Sequence, residues 1–415
     1  MQFDEAVQYL LDLGHETLAI KLGLRNTELL LQVLDNPERA FTVVQIAGTN
    51  GKGSTAAMLD SICRTAGIKT GLYTSPHLVS ITERIRINGE EITREDFARH
   101  TDTVRSVAEK LLAQGEIEAL PTFFEQLTAI ALLAFREAGV DLAILETGLG
   151  GRLDATTAAN AAIVGVTQIA MDHEEYLGPT LTHIASEKAA VIRPGVTAVI
   201  AEQRPEALAV LLERCATAGV QPSLDPGTNF YKHFPLSLRG SHQIENASVA
   251  VRLAEALRLH GFSISDEQIG LGLAAAEHAG RLELILPFLL DGAHNPAGAR
   301  ALRDYLDEFR PSWLTLIFGA MRDKKLDQIA EILFPIADRL ILTPVNNPRT
   351  ASVVTLAALA RRFARATVIE SSSSAEAVRT AITQTPNDGL ICVTGSLYLI
   401  GETRPMILKL AEELR

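Results

Sequence analysis

Cysteine is scarce in this chain, and its scarcity excludes two classes at once. Cys63, Cys215 and Cys392 are odd in number and far apart, so they form neither a disulfide framework nor a C-x-x-C metal pair. Basic charge is also short: 38 Lys and Arg against 50 Asp and Glu leave a net charge of -12. With no basic stripe to offset that balance, no nucleic-acid partner is expected. Long apolar runs are missing, and none approaches the length needed to cross a bilayer, so no membrane partner is expected either. The N-terminus carries Asp4 and Glu5 where a secretory leader would be basic. These absences point to a cytoplasmic protein, and the lack of an extended apolar surface pattern points to a monomer.

What is present is a packed α/β chain. With 47% hydrophobic and 21% charged residues over 415 positions, two domains are the natural expectation. Short apolar strands are expected at 42–46, 70–73, 141–146, 161–169 and 196–201. Helices at 54–66 and 123–138 come between them, closed by Gly67 and Gly139. Near-continuous apolar strands alternating with helices indicate a parallel sheet covered on both faces. A second series has strands at 288–290, 314–318, 339–342, 367–369 and 390–393 and helices at 297–309, 326–333, 353–364 and 375–383. The fold class is therefore α/β, a P-loop-type nucleotide-binding domain with a mostly parallel sheet plus a smaller Rossmann-like C-terminal domain. The expected joint lies at 282–287, dividing the chain into 1–284 and 285–415.

The stretch Gly48-Thr49-Asn50-Gly51-Lys52-Gly53-Ser54 links the first strand to its helix. Its glycines let the backbone approach a ligand and turn sharply, and the helix that follows presents amides to an anion. Lys52 can place a point charge on outer phosphates, and Ser54 can reach a bound Mg²⁺. The loop departs from the usual P-loop spelling: Ile46 stands at the first glycine position, and Gly53 separates Lys52 from Ser54. An ordinary glycine turn has the same composition, and the placement between buried strand and helix favours nucleotide binding.

Other candidates also follow strands. Ser75, in Thr74-Ser75-Pro76-His77-Leu78, is either a hydroxyl ligand for a metal or part of a Ser-Pro turn. Glu146 ends a strand and precedes three glycines, which suits Mg²⁺ coordination or an acidic flexible loop. His173 is a nitrogen ligand or a structural histidine. Glu187-Lys188, in a helix expected at 183–191, reads by itself as a solvated face. Asp291 and His294, in Asp291-Gly292-Ala293-His294-Asn295-Pro296, either bind ligand or cap the helix after them. Taken together, a phosphate loop and three metal-ligand types after the strands of one domain suit ATP-dependent activation of a carboxylate.

In combination, GTNGKGS at 48–54, TSPHL at 74–78, TFFEQLT at 122–128, ETGLGGRLDAT at 146–156, DHEEYLG at 172–178, HQIENA at 242–247 and DGAHNP at 291–296 are specific. From about residue 21 to residue 398 the chain resembles the folylpolyglutamate synthase/dihydrofolate synthase branch of the Mur ligase family. The resemblance implies an ATP-dependent acid–amino-acid ligase. ATP phosphorylates a pterin-linked carboxylate of a folate or dihydropteroate, and the amine of L-glutamate attacks the acyl phosphate to give an amide. It implies phosphate contacts from Thr49, Asn50, Gly51, Lys52, Gly53 and Ser54, and Mg²⁺ ligands in Ser75, Glu146 and His173. It places Asn246, Arg281 and Asp291 on ATP. Thr122, Phe123, Phe124 and Glu125, with Leu153, Asp154 and Ala155, match pterin-binding segments, as does the stretch 19–22. Lys188 matches a lysine that is carboxylated and serves as a metal ligand, which reverses its reading as a solvated residue. His294 is implied as a contact from the second domain. The chain departs from the family pattern at Ala279, Ala190 and Thr157, where proline, glycine and asparagine are usual. The competing expectations are another Mur-type amino-acid ligase and a P-loop NTPase switch, which would hydrolyse ATP without pterin or glutamate.

Overall fold

The computed structural model describes residues 1–14, 23–224 and 235–413. The stretch 19–22, expected to touch the pterin, lies outside the described residues. The chain divides into two compact units, one of Met1–Ser237 with Ile244–Glu277 and one of Leu238–Gln243 with His278–Arg415.

In the first unit, eight described strands form one sheet: β1 Thr42–Ala47, β2 Thr70–Tyr73, β3 Ile85–Ile87, β4 Glu90–Glu91, β5 Leu142–Glu146, β6 Ile163–Val166, β7 Thr197–Ile200 and β8 Ser223–Leu224. Their order across the sheet is β4-β3-β2-β5-β1-β6-β7-β8. From β2 through β8 neighbours run parallel, while β3 and β4 add an antiparallel edge. The central strands are buried along almost their whole length because helices cover both faces, so they read as mostly apolar runs rather than alternating ones. The loops after β2, β5, β1 and β6 leave from four adjacent strands at the same end, although the chain visits them in a different order. Ligand sites of open α/β sheets form at such carboxyl ends.

Helix Lys52–Thr65 is buried from Gly53 to Cys63, an unusual state for a helix with a polar sequence. The cause is a close crossing with helix Asp266–Ala275: a Cβ built on Gly272 would lie 2.4 Å from Ile62 Cα, and the Ser61 hydroxyl donates to the Gly272 carbonyl at 2.7 Å. Each of Met58, Leu59 and Ile62 is fully buried, worth roughly 1.5–3 kcal/mol apiece. The helix starts at Lys52 rather than at 54 because Gly51 takes the left-handed N-cap position, with φ of 86°.

The second unit carries β9 Glu283–Ile285, β10 Phe288–Asp291, β11 Leu314–Phe318, β12 Arg339–Leu342, β13 Thr367–Glu370 and β14 Leu390–Thr394. Their order is β13-β12-β11-β14-β10-β9, parallel except for the β9–β10 hairpin. Helices Pro296–Phe309, Leu326–Leu333, Val353–Phe363 and Ser374–Gln384 connect the parallel strands, and Leu397–Glu413 follows the last one. The joint expected at 282–287 lies within this unit, because Glu283–Ile285 pairs with β10 instead of linking two bodies. Among the described residues no helix is long and apolar enough to cross a membrane.

Candidate active site

The glycine loop after β1 is shaped by its neighbours. Gly48 has φ of 144°, and a Cβ there would lie 1.9 Å from Thr167 Oγ1. A Cβ on Gly51 would lie 2.0 Å from Asn246 Oδ1. Neither position tolerates a side chain without displacing a residue that belongs to the loop's surroundings. Asn246, expected from sequence to touch ATP, is thereby brought to the loop, and its carbonyl accepts the Thr55 hydroxyl at 3.3 Å. No side chain caps the helix that starts at Lys52 and its first turn holds no acid, so the positive end of the helix dipole faces this loop.

Two lysines meet the loop backbone. Lys52 Nζ donates to the Thr49 carbonyl at 3.2 Å, and Lys188 Nζ donates to the Gly48 carbonyl at 2.7 Å. Lys188 is only 4% exposed. Its amine is pushed down to about 7, first by burial and then by the charge of Lys52, against opposing pulls from Asp172 and Asp154. The solvated helix face suggested by Glu187-Lys188 therefore holds for Glu187, which pairs with Arg152 at 3.0 Å, and not for Lys188. Helix Leu181–Ala189 brings Lys188 inward because Gly151 lets the glycine-rich loop lie against it: a Cβ on Gly151 would be 2.9 Å from the Glu187 carbonyl.

Of the expected metal ligands, Glu146 and Ser75 are in contact, the Ser75 amide donating to Glu146 Oε2 at 3.1 Å. Glu146 is 5% exposed. His173 opens the short helix Glu174–Leu177 from a left-handed backbone, with φ of 52°. Among the described residues no group of three or more His, Cys, Asp or Glu gathers as a ready-made metal cage. A hydroxyl and one carboxylate suit Mg²⁺, which keeps waters and takes substrate phosphate oxygens as its remaining ligands.

The expected pterin segments also have internal duties. Thr122 and Glu125 form a capping box at the start of helix Phe123–Ala138, and Glu125 also accepts the Thr27 hydroxyl at 3.2 Å. Phe124 packs on Tyr73 with ring centroids 5.7 Å apart and closes on Gly148, where a Cβ would come within 2.6 Å of it. Asp154 is buried, accepts the Leu149 amide at 2.9 Å and the Thr156 amide at 3.0 Å, and is raised by burial. Ala155 begins the 3-10 turn that Asp154 caps, while Leu153 is exposed. Thr157, where asparagine was expected, is an interior residue whose hydroxyl donates to the Gly151 carbonyl at 2.7 Å. Ala190 sits at φ of -62°, a conformation that needs no glycine.

In the second unit, Asp291 ends β10 and accepts the amides of Leu282 and Ala293, each at 3.0 Å. Burial raises its carboxyl, opposed by Arg281 and His242. The helix that follows is capped by Asn295, which accepts the Gly298 amide at 2.8 Å, so Asp291 is not its cap. His294 donates from Nδ1 to the Gly292 carbonyl at 2.8 Å. The turn bearing Arg281 is anchored by Glu283, which accepts the Gly280 amide and takes a two-pronged grip from Arg404 at 2.8–3.0 Å. Sequence reasoning missed two residues here. Arg84 donates to His77 Nδ1 at 2.7 Å and lies over the Phe123 ring, joining the Ser75 loop to a pterin segment. Gln45, buried in β1, donates to the hydroxyls of Thr156 and Thr157. A polar residue inside an apolar strand was the available signal for Gln45.

Residues 280–397 match the family model described as Mur ligase, glutamate ligase domain. The dihydrofolate synthase/folylpolyglutamate synthase of Bacillus subtilis is 33% identical, over 94% of this chain and 96% of its own length. A probable bifunctional folylpolyglutamate synthase/dihydropteroate synthase of Halobacterium salinarum is 35% identical over 97% of this chain, which spans about half (51%) of that relative. Among solved structures, the Mycobacterium tuberculosis folylpolyglutamate synthase complexed with ADP aligns with a TM-score of 0.90 at 30% identity, covering 98% of this chain and 99% of that one.

Proposed function

The chain belongs to the dihydrofolate synthase/folylpolyglutamate synthase family of Mur-type ligases, and we propose that it is an ATP- and Mg²⁺-dependent ligase that adds L-glutamate to folates, to dihydropteroate, or to both. The observation that carries this reading is the glycine loop set between Lys52, Lys188 and Asn246, with Glu146 and Ser75 joined at a neighbouring strand end. ATP with Mg²⁺ supplies the phosphoryl group that activates the pterin-linked carboxylate.

The chain's own residues bind and orient. The amides that open the helix, from Gly51 to Ser54, face the phosphates, Thr49 and Asn50 hold the approach to them through the Gln168 carbonyl, and Lys52 offsets the phosphate charge. Ser75, Glu146 and His173 hold the metal. Phe124 and Leu153 offer apolar surface to the pterin, buried Phe123 and Ala155 back it, and Thr122, Glu125 and Asp154 shape it from their capping positions. Asn246, Arg281 and Asp291 are read as ATP contacts, and His294 as a further ligand contact. With its amine lowered to about 7, Lys188 has a neutral fraction that can add carbon dioxide, releasing a proton to solvent; the carbamate so formed would be an anion near Lys52 able to serve as a metal ligand. A cytoplasmic location belongs to this reading, supported by three buried, free cysteines, and the protein is read as acting as a monomer.

The test is product mass analysis after incubation with ATP, Mg²⁺ and L-glutamate, with dihydropteroate and tetrahydrofolate offered in parallel. Addition of glutamate to either compound supports the reading and names the activity. ATP consumption with no mass gain on either refutes it.

A further inference from the structure

The main-chain ladder between β6 and β7 ends where the Ala201 amide meets the Val166 carbonyl at 2.9 Å. Beyond that point the chain leaves the sheet and runs along the glycine loop, and its backbone groups still need partners. Gln203, in the loop after β7, supplies two. Its Nε2 donates to the Thr167 carbonyl at 2.9 Å, and its Oε1 accepts the Ile169 amide at 3.0 Å. These bonds straddle Gln168, whose carbonyl accepts the amides of Thr49 at 2.9 Å and Asn50 at 3.3 Å. One step on, Thr49 Oγ1 and the backbone of Ala170 exchange two hydrogen bonds, each 3.1 Å. Three residues later comes His173.

We propose that Gln203 is a positioning residue for the nucleotide loop, resting on the reading above that residues 48–54 hold ATP. By fixing both sides of Gln168, its amide aims the carbonyl that sets the direction of the Thr49 and Asn50 peptides. The same grip fixes the start of the segment that ends in His173. Gln203 acts only through backbone, so it needs an amide that both donates and accepts at that reach. Its two side-chain hydrogen bonds go to Thr167 and Ile169, outside the glycine loop and the substrate-binding residues named above.

The experiment compares wild type with Gln203→Met, which keeps the side-chain length and loses both bonds, and with Glu202→Gln as an exposed neighbouring control. Hydrogen exchange is followed in peptides containing Thr49 and Asn50 in the ligand-free protein. The ATP dissociation constant and the KM for the pterin substrate are measured on the same preparations. Faster exchange at Thr49 and Asn50 is expected in Gln203→Met, with ATP affinity weakened on the order of tenfold and the pterin KM within about twofold. Unchanged exchange overturns the proposal, as does equal weakening of ATP and pterin, which would make Gln203 a general stabiliser. If Gln203→Met does not fold, Gln203→Asn retains the chemistry at too short a reach and is held to the same outcomes. Wild type that fails to bind ATP counts against the functional reading, while the exchange comparison judges the brace by itself.

Discussion

Replacing Lys188 by methionine should change how stability responds to pH, in a direction the burial of this amine dictates. Inside the fold the amine falls from its ordinary 10.5 to about 7, a preference for the neutral form of about 5 kcal/mol. Between those two values the unfolded chain keeps a proton that the folded chain has released. Stability therefore rises with pH across that window, by roughly 1.4 kcal/mol per pH unit. Below about 7 both states are protonated, the dependence vanishes, and the cost of the buried charge is carried in full. Lys188→Met removes the titrating group while keeping most of its apolar stem. In carbon-dioxide-free buffer, urea unfolding at pH 7, 8 and 9 should show wild type gaining about 2 kcal/mol on the variant over that range, because the dependence is only half developed at pH 7. A difference that stays flat from pH 7 to 9, or that moves against wild type, would refute the assignment of a neutral buried amine.

Other perturbations follow from the same geometry. Lys52→Ala should cut turnover by on the order of 3 kcal/mol or more in activation free energy, read as kcat/KM in a folded variant; unchanged turnover removes Lys52 from the phosphate site. Gly51→Ala must displace Asn246 and adopt a strained φ, so the KM for ATP should rise about tenfold with the pterin KM unaltered. A normal ATP KM there would separate Asn246 from the nucleotide. Glu146→Gln should raise the Mg²⁺ concentration for half-maximal activity without lowering the melting temperature, and a wild-type Mg²⁺ titration would take Glu146 off the ligand set.

The strands at 70–73, 314–318 and 339–342 were legible to the residue because a buried parallel strand is a short, largely apolar run with clear bounds. β3, β4 and β9 were not, being two or three residues long, only partly buried and antiparallel at sheet edges. The site loops announced themselves through glycine, since positive φ and close approach leave few alternatives at Gly48 and Gly51. What sets those loops in place left little local signal. Gln45, which reaches Thr156 across 111 residues, stood out only as a polar residue inside an apolar strand, and Gln203, which reaches Thr167 across 36, looks like any other loop glutamine until the fold brings its partner near. Thr122-x-x-Glu125 shows the opposite difficulty: one short pattern serves both a substrate match and a helix cap, and only the observed bonds reveal the second duty.

Charge placement ties the site together. An acidic protein that handles phosphates must keep its positive potential local, and here the glycine loop holds a helix N-terminus, Lys52 and Lys188 within a few residues' reach. Two ammonium groups on one loop would be mutually unfavourable, and burial together with that repulsion lowers the Lys188 amine to about 7, so that its neutral form is well populated at neutral pH. On the proposed reading Lys52 supplies the counter-charge to an incoming polyanion. Lys188 is instead the adjustable group: protonated it adds repulsion, neutral it hydrogen-bonds the Gly48 carbonyl, and carboxylated it becomes an anion facing Lys52. The same burial that makes the amine costly as a cation makes it available for carboxylation at neutral pH. This is why exchanging Lys188 with Lys52, equal in composition, would not give an equivalent site.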